Sequence, residues 1–228
     1  PHNPTGGMLT QENLEELAAL AKKHNLWVLS DEVYSNIVYD SPFHSIASIK
    51  GMKERTIMLE GFSKTYAMTG WRMGMGIMNR DLADKVARIE TNLNSCTATF
   101  TQMAGVEALE GDQSAARAMV NEFKRRRNVI VALLNQVPGF KCLMPQGAFY
   151  VYPNVTKACR MCGFRNSSEL QEYLLYQGNV AVLPRTSFGR RNKGENDEYV
   201  RLSYATSLDN IREGLARIRN AVEKKIKR

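Results

Sequence analysis

Apolar residues recur at Leu14, Leu17, Ala18 and Ala21, the i, i+3, i+4, i+7 spacing of one helical face, and Thr10 just before them carries a side chain suited to capping a helix. The spacing predicts an amphipathic helix ending near His24 and Asn25. The stretch LWVLS from Leu26 to Ser30 then runs apolar without alternation, the pattern of a parallel strand covered on both faces, and Asp31 stands at its carboxyl end. After a segment containing Pro42, TIMLE from Thr56 to Glu60 reads as a second buried strand that leads directly into Gly61-Phe-Ser-Lys64. A third short strand, GMGIM, is expected over Gly74 to Met78.

Helices are predicted from Asp81 to Asn92, with Leu82, Val86, Ile89 and Leu93 on one face, from Thr99 to Glu110, and from Ser114 to Gln136, where Pro138 and Gly139 end the pattern. Beyond that point the style changes. FKCLMPQGAFYVY suggests strands around a turn, Ser167 or Ser168 opens a helix, VAVLP and YVRLSYA read as short strands, and Asp209 starts a last helix with Ile211, Leu215, Ile218 and Val222 inward. The expected organisation is an α/β domain with a mostly parallel sheet over residues 1–112, followed by a smaller α+β domain over residues 113–228.

Composition narrows the function classes. With 43% hydrophobic and 24% charged residues the chain is an ordinary globular one, and no apolar run reaches the length of a membrane span. No signal segment opens it, so a cytoplasmic setting is expected. The net charge of +8 raises nucleic acid as a partner, but the basic residues are scattered, and the densest runs, at 124–127 and 224–228, fall on predicted helices as solvated faces. Anionic small ligands suit the same charge. Cys159 and Cys162 form a single CxxC without the second pair a zinc site needs or the thioredoxin-like context a redox pair needs, so no metal is expected.

Two strand ends thus carry polar residues, and in open α/β sheets ligands bind outside the carboxyl ends of parallel strands, so Asp31 and Lys64 are expected to face one cleft. A lysine so placed is either a structural surface residue or a Schiff-base nucleophile, whose amine must be desolvated or set near cations to react at neutral pH. Arg72, eight residues on, could supply that cation or bind an anionic cofactor group. An electron-sink pyridine ring needs an acid against its nitrogen, and Asp31 is suitably placed for that.

At this point four motifs align in order with one family: PHNPTGG at 1–7, SDEVY at 30–34, GFSKTYAMTGWRMG at 61–74 and YVRLSYA at 199–205. The chain resembles the fold type I aminotransferases dependent on pyridoxal phosphate, the aspartate aminotransferase class, and specifically their C-terminal portion: part of the large cofactor-binding domain and the small domain. The resemblance implies that Lys64 holds pyridoxal 5'-phosphate as a Schiff base and shuttles the substrate proton, that Asp31 pairs with the ring nitrogen, and that Asn3 and Tyr34 hydrogen-bond the phenolic oxygen. It implies that Arg72 binds the phosphate and that Arg201 clamps the substrate α-carboxylate. Ser63 is either a further phosphate donor or a turn residue, since Gly61 stands where the family often has serine. Arg185, where the family commonly has glycine, either reaches a substrate side-chain carboxylate or lies on a solvent-facing loop.

The implied activity is transfer of an amino group between an L-amino acid and a 2-oxo acid by a homodimer. A carbon–sulfur β-lyase is the alternative within the same chemistry. Because the chain opens at Pro1 with what reads as the loop after a strand, it is expected to be a fragment of a longer protein, and by itself inactive or only an assembly piece.

Overall fold

The computed structural model describes residues 1–227, which divide into two compact units. The first comprises Pro1 and Met8–Val120, the second His2–Gly7 and Asn121–Arg228, so the division falls inside a long helix and the amino-terminal turn belongs to the second unit.

In the first unit, α1 (Gln11–Lys23) starts in a reciprocal cap: Thr10 Oγ1 accepts from the Asn13 amide, and Asn13 Oδ1 accepts from the Thr10 amide, both at 3.2 Å. Leu14, Ala18 and Ala21 turn inward against Ile46 and Met52, whereas Leu17, expected on the same face, is exposed. Strands β1 (Val28–Asp31) and β2 (Thr56–Gly61) pair in parallel, with Asp31 opposite Leu59. A one-turn helix, α2 (Phe62–Thr65), follows β2, and a short 3-10 turn (Thr69–Trp71) precedes β3 (Gly74–Ile77). β3 runs antiparallel to β2, so the described sheet has one parallel and one antiparallel pairing.

The expectation that the first strand is covered on both faces is corrected. Burial alternates along β1, and Leu29 is 65% exposed. Val28 packs on the α1 cluster. The strand also starts later than expected, with Leu26 and Trp27 exposed before it. Two further helices, α3 (Arg80–Leu93) and α4 (Thr99–Glu110), complete the unit. No residue of α3 is fully buried, and Ile89 and Leu93, on the apolar face the pattern gives, are exposed.

The long helix α5 (Ser114–Leu134) carries Phe123, Ile130 and Leu134 into the core of the second unit. There β4 (Tyr150–Val151), α6 (Thr156–Met161), α7 (Ser167–Gly178), β5 (Leu183–Pro184), β6 (Val200–Ser203) and α8 (Leu208–Ile226) follow in chain order. The sheet order is β4-β6-β5, all antiparallel, with Arg201 opposite Leu183. The strands expected around residues 140–152 reduce to β4 and an isolated bridge between Lys141 and Asn154. Ser207 caps α8 through the Asn210 amide, and Ile211, Leu215, Ile218 and Val222 are buried as the periodicity requires.

Candidate active site

The site residues fall on two groups of elements, one in each unit. In the first, the register of β1 and β2 sets Asp31 beside Leu59 at the carboxyl end of the parallel pair, and Lys64 sits on the single helical turn that follows β2. Pairing of Gly61 with Gly74 brings the start of β3 to that same end, so Arg72, just before β3, shares it. The Phe62 amide donates to the Met73 carbonyl at 3.3 Å, which closes the loop carrying Lys64 and Arg72. Asp31 is exposed, and its Oδ1 accepts from the Val33 amide at 3.3 Å, an Asx-type contact that leaves carboxylate capacity for a second partner. Lys64 is half-buried; Phe62 below it is buried and stacks on Tyr66 at 5.7 Å.

Arg72 adopts a left-handed backbone (φ 53°), and its Nη1 donates to the Thr69 carbonyl at 3.0 Å. With Trp71, Asn94, Cys96 and Phe100 it lines an open depression of about 860 Å³. Tyr34 is buried in the turn after β1, where its carbonyl accepts from Ile37 at 2.9 Å. Ser63 lies in the first turn of α2 and is half-buried. The glycine at position 61 has a local reason: a Cβ there would stand 3.0 Å from Val33 Cγ2.

A carboxylate cluster that the sequence reading passed over borders this end of the sheet. Buried Glu32 accepts from Ser30 Oγ at 2.9 Å and Ser45 Oγ at 2.7 Å. Glu60 accepts from Ser35 Oγ at 2.5 Å and from the Gly61 amide at 3.3 Å. Burial pushes the Glu60 carboxyl above its ordinary value despite those hydrogen bonds, and the nearby Glu32 and Asp31 charges add to the rise. The available signal was a second carboxylate, like Asp31, ending an otherwise apolar strand.

In the second unit the amino-terminal turn and β6 meet. Gly6 takes φ 69°, its carbonyl accepts from the Gln146 and Gly147 amides at 2.8 and 3.0 Å, and a Cβ on it would lie 2.4 Å from Pro145 Cβ. This close approach sets Asn3 against β6, where Arg201 Nη1 donates to Asn3 Oδ1 at 2.7 Å. Arginine offers only donors, so the asparagine presents its oxygen here and its NH2 is left as a donor toward an anionic oxygen. The Arg201 guanidinium carbon stands 4.5 Å from the Tyr150 ring centroid and 5.0 Å from that of Phe188, a ring near each.

Arg185 matches neither expectation. It is 7% exposed, with Nη2 donating to Glu195 Oε2 at 3.1 Å and Nη1 to the Gly189 carbonyl at 3.3 Å. The loop after β5 folds back over it, a path that no local pattern announces. Cys159 and Cys162 are both buried thiols on and just after α6, and burial pushes Cys159 up to about 11. Among the described residues no cluster of three or more His, Cys, Asp or Glu is arranged to hold a metal ion, and no helix is long and apolar enough to cross a membrane.

Comparison with known proteins gives the same direction from the whole chain. Residues 1–218 match the family model described as aminotransferase class I and II. The chain is 40% identical over 228 residues to aromatic-amino-acid aminotransferase 2 of Thermococcus litoralis, covering 99% of this chain and 56% of that protein. It is 37% identical over 226 residues to an aspartate aminotransferase of Bacillus subtilis, covering 98% of this chain and 56% of that one. Among solved structures, an aromatic aminotransferase from Pyrococcus horikoshii superposes with a TM-score of 0.90 at 38% identity, over 98% of this chain and 58% of the other. The aspartate aminotransferase from Rhizobium meliloti gives 0.89 at 33% identity, over 98% and 56%. The chain spans about half the length of the curated relatives it matches.

Proposed function

The chain belongs to the class I and II aminotransferases, and from that premise we propose that it serves a pyridoxal 5'-phosphate enzyme moving an amino group between an L-amino acid and a 2-oxo acid, with Lys64 as the reactive amine. The family has the fold type I architecture and depends on this cofactor. The observation that carries the reading is the register of β1 and β2, with Asp31 ending one strand and Lys64 following its parallel neighbour.

The donor set fits the cofactor: a half-buried primary amine, an exposed carboxylate, a buried phenol and a guanidinium stand at one end of the sheet. When bound, pyridoxal phosphate supplies an aldehyde that condenses with amines and a pyridinium ring that withdraws electrons from the substrate α-carbon. Asp31 would hold a proton at the ring nitrogen, because an adjacent carboxylate favours the charged pyridinium. With the cofactor bound, the Lys64 amine would take and return the proton at the substrate α-carbon. By the resemblance, Tyr34 and the Asn3 amide would donate to the phenolic oxygen and favour its ionised form, and Arg72 with Ser63 would meet the phosphate. Arg201 would grip the α-carboxylate in the plane of its guanidinium and so fix the orientation of the substrate α-carbon.

Activity is proposed for a polypeptide of the relatives' length, assembled as a homodimer in the cytoplasm. The 228 residues by themselves are expected to bind the cofactor weakly or not at all, since they span about half the length of the relatives. The test is a donor screen with 2-oxoglutarate on that longer protein beside a Lys64→Ala control. Acceptor consumed one-for-one with donor, and lost in the control, supports transamination. Keto product formed without acceptor consumption points to β-elimination instead, and undiminished turnover in the control removes Lys64 from the chemistry.

A further inference from the structure

The segment from Arg185 to Glu198 leaves β5 and returns to β6 as a strap, and both of its ends are tied to the first residue of α7. The Arg185 amide donates to Ser167 Oγ at 3.3 Å, and Glu198, itself buried, accepts from the Ser167 amide at 2.8 Å. Between these ties the strap is cross-braced by two ion pairs, Arg185 with Glu195 and Arg191 with Glu198. Glu195 also accepts from the Asn192 amide at 3.1 Å, so the brace fixes backbone as well as side chains.

Inside the strap, residues Arg185–Phe188 form a single 3-10 turn, and Gly189 at φ 101° reverses the chain so that its carbonyl reaches Arg185 Nη1. Phe188, at the end of that turn, stands edge-on to Tyr152 at 5.7 Å and lies 5.0 Å from the Arg201 guanidinium carbon. Tyr150, on β4, covers the same guanidinium at 4.5 Å. Flat rings near a guanidinium leave its in-plane N–H groups for acceptors, and one of these is already committed to Asn3. Arg185 is an odd choice for stability alone, since its buried Nε has no hydrogen-bond partner. Its two satisfied contacts both act on the conformation of the turn that carries Phe188.

We propose that Arg185 is a positioning residue: its pairing with Glu195 across the strap holds Phe188 against Arg201, and thereby orients the in-plane edge of Arg201 that receives a carboxylate. The inference rests on the reading of Arg201 as the carboxylate site. It departs from both sequence expectations for Arg185, because the residue acts through Phe188 and touches no substrate.

The experiment follows the Arg201 Nε–H resonance in the arginine-labelled chain, assigned by loss in Arg201→Lys, during titration with propionate, which has neither an amine nor a keto group. In the wild type the resonance should move with propionate. Arg185→Gln and Glu195→Gln should each weaken that response about two- to fivefold, the scale of one displaced cation–π contact, and the double variant should be no weaker than either alone. Phe188→Leu should show the same weakening with the ion pair intact, and Arg185→Lys should recover part of it. In an enzyme of the relatives' length the same variants should raise KM for every carboxylate substrate while leaving kcat near its wild-type value. Propionate curves in Glu195→Gln and Phe188→Leu that overlay the wild type would overturn the positioning role, as would additive losses in the double variant. A wild-type Arg201 signal blind to propionate would instead overturn the carboxylate reading itself. Should Arg185→Gln fail to fold, Glu195→Gln and Phe188→Leu decide the matter alone.

Discussion

Arg201 Nη1 and Asn3 Oδ1 are joined at 2.7 Å across 198 positions of sequence, within one compact unit. A charged donor on a short side-chain acceptor, held by a turn that packs on residues 145–147, is a rigid way to aim a guanidinium.

Asn3→Ala removes this anchor without adding bulk. The expected result is a KM for amino-acid and oxo-acid substrates raised about tenfold or more, the scale of a lost hydrogen bond to a charged group. Steady-state kinetics on a protein of the relatives' length measures it, and an unchanged KM would mean that the rings beside Arg201 suffice to aim it.

Gly6→Ala should destabilise the second unit by about 1–3 kcal/mol, as overpacking does. The added Cβ would lie 2.4 Å from Pro145 Cβ, on a backbone at φ 69° that side chains disfavour. Urea denaturation of the variant reads the loss directly, and a midpoint equal to the wild type would contradict the close approach.

Glu60 gives stability a pH dependence of definite sign. Its carboxyl is raised by burial, with Glu32 and Asp31 adding to the effect. A group that binds its proton more tightly when folded contributes stability that is present below its unfolded value and lost as pH rises through its folded one. Glu60→Gln stays neutral throughout. As pH rises from the ordinary glutamate value through the raised folded one, the wild type should therefore lose stability relative to the variant, and parallel curves would show Glu60 to be solvated as in the unfolded chain.

Thiol chemistry should be confined to Cys96. It is exposed, whereas Cys142, Cys159 and Cys162 are buried, with Cys142 pushed up to about 12 and Cys159 to about 11 by burial. Thiolate is the reactive form, so dithionitrobenzoate at neutral pH should label Cys96 rapidly and the other three only on unfolding. Rapid labelling of Cys159 and Cys162 together would reopen the CxxC as a redox pair.

Local order was legible where neighbours along the chain decide it. Thr10 caps its helix through a side-chain oxygen, and α4 spans the residues its pattern delimits, because caps and helical periodicity act within a turn or two. The placement of Asp31 at the end of β1 and of Lys64 just after β2 was equally readable, since an apolar run followed by a polar residue is itself a local pattern.

Other features depended on contacts that no window of sequence contains. The antiparallel direction of β3, the exposed face of β1 and the raised carboxyl of Glu60 follow from which strand or side chain arrives alongside, not from their own neighbours. Arg185 shows the difference most plainly: in sequence it is a charged residue beside a proline, and it becomes a buried brace only because the chain returns Glu195 to it. The sequence alone therefore determined the family and most of the helices, whose signals are short-range. Only the tertiary structure decided which charges are paired, which faces are covered and which rings flank Arg201, because those outcomes are set by desolvation and by partners distant along the chain.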